Sequence, residues 1–240
     1  MSDHAPFAPS ASERWLNCPG SFAAEREHVR TSSIYAEEGT SAHAVFARAL
    51  LGHCSPYTLT DDAMMAKPLH EAWLAAQQLI SRRRFIVEQR LAPLPGLPDV
   101  WGTGDLIVFN RWGHVCMVVD LKFGTQVIVE PDALQLRIYA LLAAQQFGGA
   151  VDGITAAILQ PRALHSAGPV RTHHYSNHAL SAAVVALQAG VKAALQQDAP
   201  RVSGLWCRFC AARWACPVRE HELPHWSAGN SPFHIGRPKA

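Results

Sequence analysis

Apolar residues recur along this chain at two different periods, and the change of period divides it. Between 37 and 51, Ala42, Val45, Phe46, Ala49 and Leu50 return every three or four positions, which predicts a helix. A second helix is predicted over 61–83 from Met64, Met65, Leu69, Trp73, Ala76 and Ile80. Arg82, Arg83 and Arg84 close it, as cations suit a helix C-terminus. Ahead of both, Ser10 or Ser12 is expected to cap a short helix through Arg14, Trp15 and Leu16, ending before Cys18-Pro19-Gly20. From residue 85 the pattern changes to strands. Phe85 to Leu91 alternates, and Val100 to Phe109 and Val115 to Leu121 read as a second and third strand. The third is nearly all apolar, which predicts a central place in its sheet. A helix over 132–147 follows, with Pro131 in its first turn. Then come a strand from Gly153 to Gln160, a strand from Val170 to Tyr175 and an alanine-rich helix over 178–197. The predicted fold class is α/β, a mixed central sheet flanked by helices.

The organisation expected is one domain over 1–224. It has a helical N-terminal part (10–83), a sheet core (84–176), the helix 178–197 and a cysteine-rich segment (205–217). Residues 225–240, rich in Pro, Gly, Ser and His, are expected to form a flexible tail. The chain has 240 residues, 49% hydrophobic and 17% charged, which supports a full core and excludes wholesale disorder. A net charge of +2 neither favours nor excludes nucleic acid, because a local basic groove can coexist with a near-neutral total. The first residues do not read as a signal peptide, and no apolar run reaches the roughly 18 residues of a membrane span. A cytoplasmic protein without a membrane partner is expected. In that compartment, clustered cysteines point to metal more than to disulfides.

Asp105 and Asp120 are related by geometry. Asn110-Arg111-Trp112-Gly113 reads as a hairpin turn, and a two- or four-residue loop there pairs Asp105 with Val118. Asp105, Asp120 and Lys122 then share one face, with the two carboxylates as diagonal neighbours about 7–8 Å apart. Two carboxylates so placed can converge on Mg²⁺ or Mn²⁺. Lys122, two residues along, can orient a water or stabilise negative charge. An odd loop length would put the carboxylates on opposite faces. Glu88 on the preceding strand is a further acidic group of lower rank, since nothing in its local pattern turns it inward. Gln135 and Tyr139 lie at i and i+4 on one helical face.

The other chemical signal is Cys18 together with Cys207, Cys210 and Cys216. One tight pair and a third cysteine close by need a fourth ligand, which Cys18 supplies if the chain ends meet. The spacing suits zinc or an iron–sulfur cluster alike. Arg14, Arg208 and Arg213 would form a basic margin for a DNA backbone, and Trp15, Trp206 and Trp214 could stack on bases. Cys116 reads as a core residue and Cys54 as a loop residue.

Gly102-Thr103-Gly104-Asp105, Asp120-Leu121-Lys122 and Gln135-x-x-x-Tyr139 together resemble the PD-(D/E)XK nuclease core in its RecB-like form. The opening Arg14-Trp15-Leu16-Asn17-Cys18-Pro19-Gly20-Ser21 is similar to a phage and prophage branch of those nucleases with four cysteines. The likeness spans Ser10 to Cys216, with Gly104 where the family name has proline. It implies a restriction-endonuclease-like core and metal ligands at His43, Asp105, Asp120 and the carbonyl of Leu121. Lys122 is then catalytic, with Gln135 and Tyr139 flanking the site. It also implies a [4Fe–4S] cluster on Cys18, Cys207, Cys210 and Cys216, with Zn²⁺ as the alternative. DNA is the implied partner, in a phage recombination or replication setting. A phage recombinase or single-strand annealing protein would stand beside it, in the host cytoplasm if the chain is phage-encoded.

The expected function is therefore a divalent-metal-dependent DNA nuclease, an exonuclease by resemblance. The alternative is a non-catalytic DNA-binding recombination accessory protein with a zinc or iron–sulfur staple. A metabolic iron–sulfur enzyme would need a cofactor motif, and neither a phosphate loop nor a dinucleotide fingerprint is present.

Overall fold

The computed structural model describes residues 5–28, 32–125 and 127–222. The 225–240 segment lies outside them. Five strands form one mixed sheet in the order β1 (Phe85–Leu91), β2 (Gly102–Phe109), β3 (Val115–Leu121), β4 (Ile154–Leu159) and β5 (Val170–Tyr175). All pairs are antiparallel except β3 with β4, which are parallel and joined by a helical crossover. That crossover contains α5 (Leu134–Phe147).

Helices cover both faces. On one side α3 (Ile34–Gly52) and α4 (Ala63–Ile80) bury Phe46, Leu50 and Leu69 against Leu106, Val108, Val119 and Leu121. On the other side α1 (Ser12–Asn17), α5 and α6 (Asn177–Ala194) bury Trp15, Leu136, Ile138 and Leu187 against Ile107, Phe109, Val118 and Ile158. Residues 106 to 109 thus alternate between the two cores, as the period of two requires. Among the described residues there are two further short α-helices, α2 (Ser21–Arg26) and α7 (Pro217–Glu222). Among the described residues no helix is long and apolar enough to cross a membrane.

Several local expectations change. Neither Ser10 nor Ser12 caps α1: Ala11 holds the cap position, and Ser12 is buried within the first turn. Ser21–Arg26 is helical where no helix was expected. Helix α4 stops at Ile80 because Ser81 and Arg82 are left-handed, at φ 45° and 62°. Arg83 folds back to donate to the carbonyls of Leu79 and Ile80, so a cation does serve the helix end. Pro131 precedes α5 by three residues, and its carbonyl accepts from Tyr175 Oη.

The β2–β3 hairpin closes differently too. Asn110 N–H donates to the His114 carbonyl at 2.8 Å, leaving a three-residue loop with Gly113 at φ 85°. That odd loop alone would put Asp105 and Asp120 out of step. A bulge corrects it: Phe109 pairs with Val115 but Val108 with Met117, so Cys116 is the extra residue. Cys116 is half-buried at the margin of the α3–α4 core, and it contacts the Arg83 guanidinium at 3.4 Å. Past the bulge Leu106 pairs with Val119, a register two residues away from the one expected. Asp105 comes one step further, level with Asp120 rather than diagonal to it.

Candidate active site

Leu106↔Val119 is the last rung between β2 and β3, and the strands part beyond it. The Asp105 side chain fills the fork. Its Oδ2 accepts the Leu121 N–H at 2.8 Å, replacing a lost backbone acceptor. Leu121, whose carbonyl is the expected metal ligand, thus meets Asp105 through its N–H. Asp105 also meets His43 from α3, Nδ1 to Oδ2 at 3.3 Å.

Glu88 joins them, contrary to its low rank. It stands between the rungs Val87↔Leu106 and Gln89↔Gly104, in the same row as Asp105, with φ at 47°. Strict alternation fails at this row. Val87 packs in the α3–α4 core, while Leu91, four residues on, packs in the α5 core. On β2, a Cβ at Gly104 would touch Ile107 and Leu91 of the α5 core, although positions 104 and 107 differ in parity. The left-handed residue at 88 is the signal, and nothing in the Glu88 neighbourhood of the sequence announces it. Ligand atoms of His43, Glu88 and Asp105 all lie within 4.8 Å of one another.

Asp120 lies on the opposite flank of the fork and is buried, 4% exposed. Gln135 Nε2 of α5 donates to Oδ1 at 2.9 Å, and Lys122 Nζ pairs with Oδ2 at 2.9 Å. Tyr139, one turn beyond Gln135, crosses β2 where the sheet has no side chain: a Cβ at Gly102 would be 2.9 Å from the Tyr139 ring. The fork is thus approached by α3 from one layer and α5 from the other.

The electrostatics fit a cation site. Burial pushes the Asp120 carboxyl above its ordinary range; Lys122 opposes this and Asp105 adds to it. Glu88 is raised by burial and by Asp105, with His43 opposing. Burial disfavours charged His43, yet Asp105 and Asp120 outweigh it and raise the imidazole to about 9. Tyr139 is pushed well above the ordinary phenol range by burial, then by Asp120 and Asp105. Burial thus disfavours charge on two of these carboxyls, while the carboxylates favour charge on the imidazole. A divalent cation can supply positive charge there instead, and the set of one imidazole and convergent carboxylates suits Mn²⁺ or Mg²⁺.

The cysteines gather at the far end of the α1–α6 layer. Cys18 and Cys210 are buried, and Cys207 and Cys216 half-buried. Burial raises the Cys18 thiol, with smaller upward contributions from Cys207 and Cys216; Cys210 is raised by burial, then Glu25, and also feels Cys207. Cys18 thus lies near Cys207 and Cys216, and Cys210 near Cys207, which brings the expected four residues to one end of the molecule. Further bonds join the termini. Glu25 of α2 accepts Arg14 Nε at 2.9 Å and the Ala211 N–H at 2.8 Å. Gly20 N–H donates to the Pro200 carbonyl, and any side chain at Gly20 would collide with the Ala199 carbonyl 2.5 Å away.

The expected basic margin is corrected by burial. Arg14 is 8% exposed and paired with Glu25, so its guanidinium is turned inward. Trp15 is buried against Phe7 and is a core residue. Arg208 is exposed, and Arg213 is half-buried, donating to the Cys210 carbonyl. Trp206 is half-buried with its N–H on the Val202 carbonyl, while Trp214 is 53% exposed.

Residues 4–229 match one family model, described as a protein of unknown function, DUF2800. The chain belongs to the DUF2800 family. A solved structure titled "Crystal structure of SSO0001" is similar over 88% of this chain and 85% of its own, with 15% identity and a TM-score of 0.42. That likeness is too distant to bear on the site of this DUF2800 protein.

Proposed function

We propose that this protein is a divalent-metal-dependent DNA nuclease of the RecB-like PD-(D/E)XK kind, with a structural [4Fe–4S] cluster joining its ends. One observation carries the reading: His43, Glu88 and Asp105 converge within 4.8 Å at a strand fork whose other flank holds Asp120 paired to Lys122. A polar cluster of this size is costly to assemble for structural purposes alone.

His43, Glu88 and Asp105 would hold the ion, with Asp120 beside them. A bound Mg²⁺ or Mn²⁺ supplies charge to a phosphodiester oxygen and acidifies a bound water. The remaining work falls to the chain. Lys122 Nζ, anchored on Asp120 Oδ2, places a proton donor where negative charge develops. Gln135 occupies Asp120 Oδ1, fixing the carboxylate so that Lys122 cannot swing away with it. Tyr139 stays protonated and retains its hydroxyl as a donor near the carboxylates. Cys18, Cys207, Cys210 and Cys216 would hold the cluster, which closes a loop of nearly the whole chain.

Anaerobic purification with iron, sulfide and zinc analysis, followed by digestion of linear and closed circular DNA in Mn²⁺, tests the reading. Brown, iron-containing protein that degrades linear DNA supports it. Zinc without iron would replace the cluster, and DNA binding without cleavage in any divalent ion would favour the accessory role.

A further inference from the structure

A second cation, Arg162, is paired with Glu38 of α3 near the ends of β3 and β4. Strands β3 and β4 are parallel and end together: Lys122 N–H donates to the Leu159 carbonyl at 2.8 Å. Three residues beyond Leu159, Arg162 turns back toward the same edge. Its guanidinium carbon lies 4.6 Å from the centroid of the Phe123 ring, next to Lys122 in sequence. Its Nη1 donates to Glu38 Oε1 at 2.7 Å. Glu38 lies on α3, the helix that brings His43 to the metal ligands.

Exposure decides what this pair can do. The Arg162 and Glu38 side chains are 22% and 36% exposed, whereas those of Arg14 and Glu25 are 9% and 10%. A buried pair such as Arg14–Glu25 is costly to separate, but a half-exposed one contributes little to stability. Arg162 can therefore exchange its carboxylate for another anion. The Phe123 ring steadies the guanidinium while its edge stays able to grip two oxygens of a phosphate.

We infer that Arg162 is a substrate-binding residue that grips a backbone phosphate of the bound strand, and that Glu38 occupies the phosphate position in the free protein. This rests on the nuclease reading and names how the substrate is held. It gives the two substitutions opposite signs. Removing Arg162 removes a phosphate contact, whereas neutralising Glu38 removes a competitor.

The test is equilibrium binding of the full-length holoprotein to a fluorescent oligonucleotide, with Ca²⁺ in place of Mn²⁺, over a salt series. Arg162→Gln is expected to weaken binding about tenfold and reduce the salt slope by about one. Arg162→Lys should recover part of the affinity. Glu38→Gln should tighten binding several-fold, with the melting temperature and Mn²⁺ affinity of all variants unchanged. Weaker binding by Glu38→Gln would mean the pair is a structural latch and overturn the inference. Unchanged binding by Arg162→Gln, with DNA bound by the wild type, would overturn it while leaving the nuclease reading intact. A wild type that binds no DNA would remove both.

Discussion

Glu88 and Asp105 occupy one row of neighbouring antiparallel strands, and both strands change face at that row. The left-handed backbone at Glu88 lets its carboxylate reach the ligand group around His43. Glu88→Gln keeps the shape and removes one anionic ligand. Mn²⁺ affinity measured by calorimetry should fall by at least tenfold, with little change in melting temperature. Unaltered affinity would exclude Glu88 from the coordination sphere.

On the proposed reading, His43 should make metal binding pH-dependent. With an imidazole at about 9, the metal-free protein carries protonated His43 at neutral pH, and an entering cation must displace that proton. Mn²⁺ affinity should rise by roughly tenfold per pH unit between 7 and 9. Calorimetry at pH 7 in buffers of different ionisation enthalpy should show about one proton released. The metal-free protein should behave oppositely. The folded value lies above the ordinary histidine value of 6.5, so the stabilisation from His43 is complete below 6.5 and lost as pH rises through about 9.

Gln135 holds one oxygen of a buried carboxylate whose other oxygen pairs with Lys122. Gln135→Leu leaves Oδ1 without its donor, at a cost of about 1–3 kcal/mol. Turnover should fall at least tenfold while oligonucleotide affinity in Ca²⁺ stays within a factor of two. Equal loss of binding and turnover would give Gln135 a DNA-contacting role instead.

Glu25 ties the chain ends independently of any cofactor. Glu25→Ala strands a buried Arg14 and frees the Ala211 amide. The expected loss is about 3–5 kcal/mol, a fall in melting temperature on the order of 6–20 °C. Limited proteolysis should then cut the segment carrying Cys207, Cys210 and Cys216 even with the thiols intact. Cys18→Ser should expose the same segment, but only in protein that is purified with its cluster.

The strands were legible because their signals are local. Phe85–Leu91, Val115–Leu121 and Val170–Tyr175 have the bounds expected of them. The helix ends were less so: Ser81 and Arg82 end α4 through backbone angles that no side-chain pattern encodes. Within the site, Asp120, Lys122 and Gln135 come together from strand parity and the i,i+4 face. Glu88 was ranked too low because its inward turn depends on one positive φ and on the neighbouring strand. The hairpin was misjudged in two compensating ways. An odd loop and the bulge at Cys116 restore the parity that an even loop would have given. Arg14 looked like a DNA contact because its buried partner, Glu25, is supplied by a helix that the periodicity did not reveal.

The central claim is that this metal site cuts DNA, and cleavage of end-labelled linear duplex in Mn²⁺ tests it most directly. Wild type should degrade the linear substrate progressively, lose activity steeply as salt rises and leave covalently closed circles intact. Asp120→Asn should abolish turnover, and Lys122→Ala should lower the rate by at least a hundredfold while preserving Mn²⁺ affinity. Cleavage of equal rate by wild type and Asp120→Asn, or its complete absence from iron-replete wild type in both Mn²⁺ and Mg²⁺, would contradict the account.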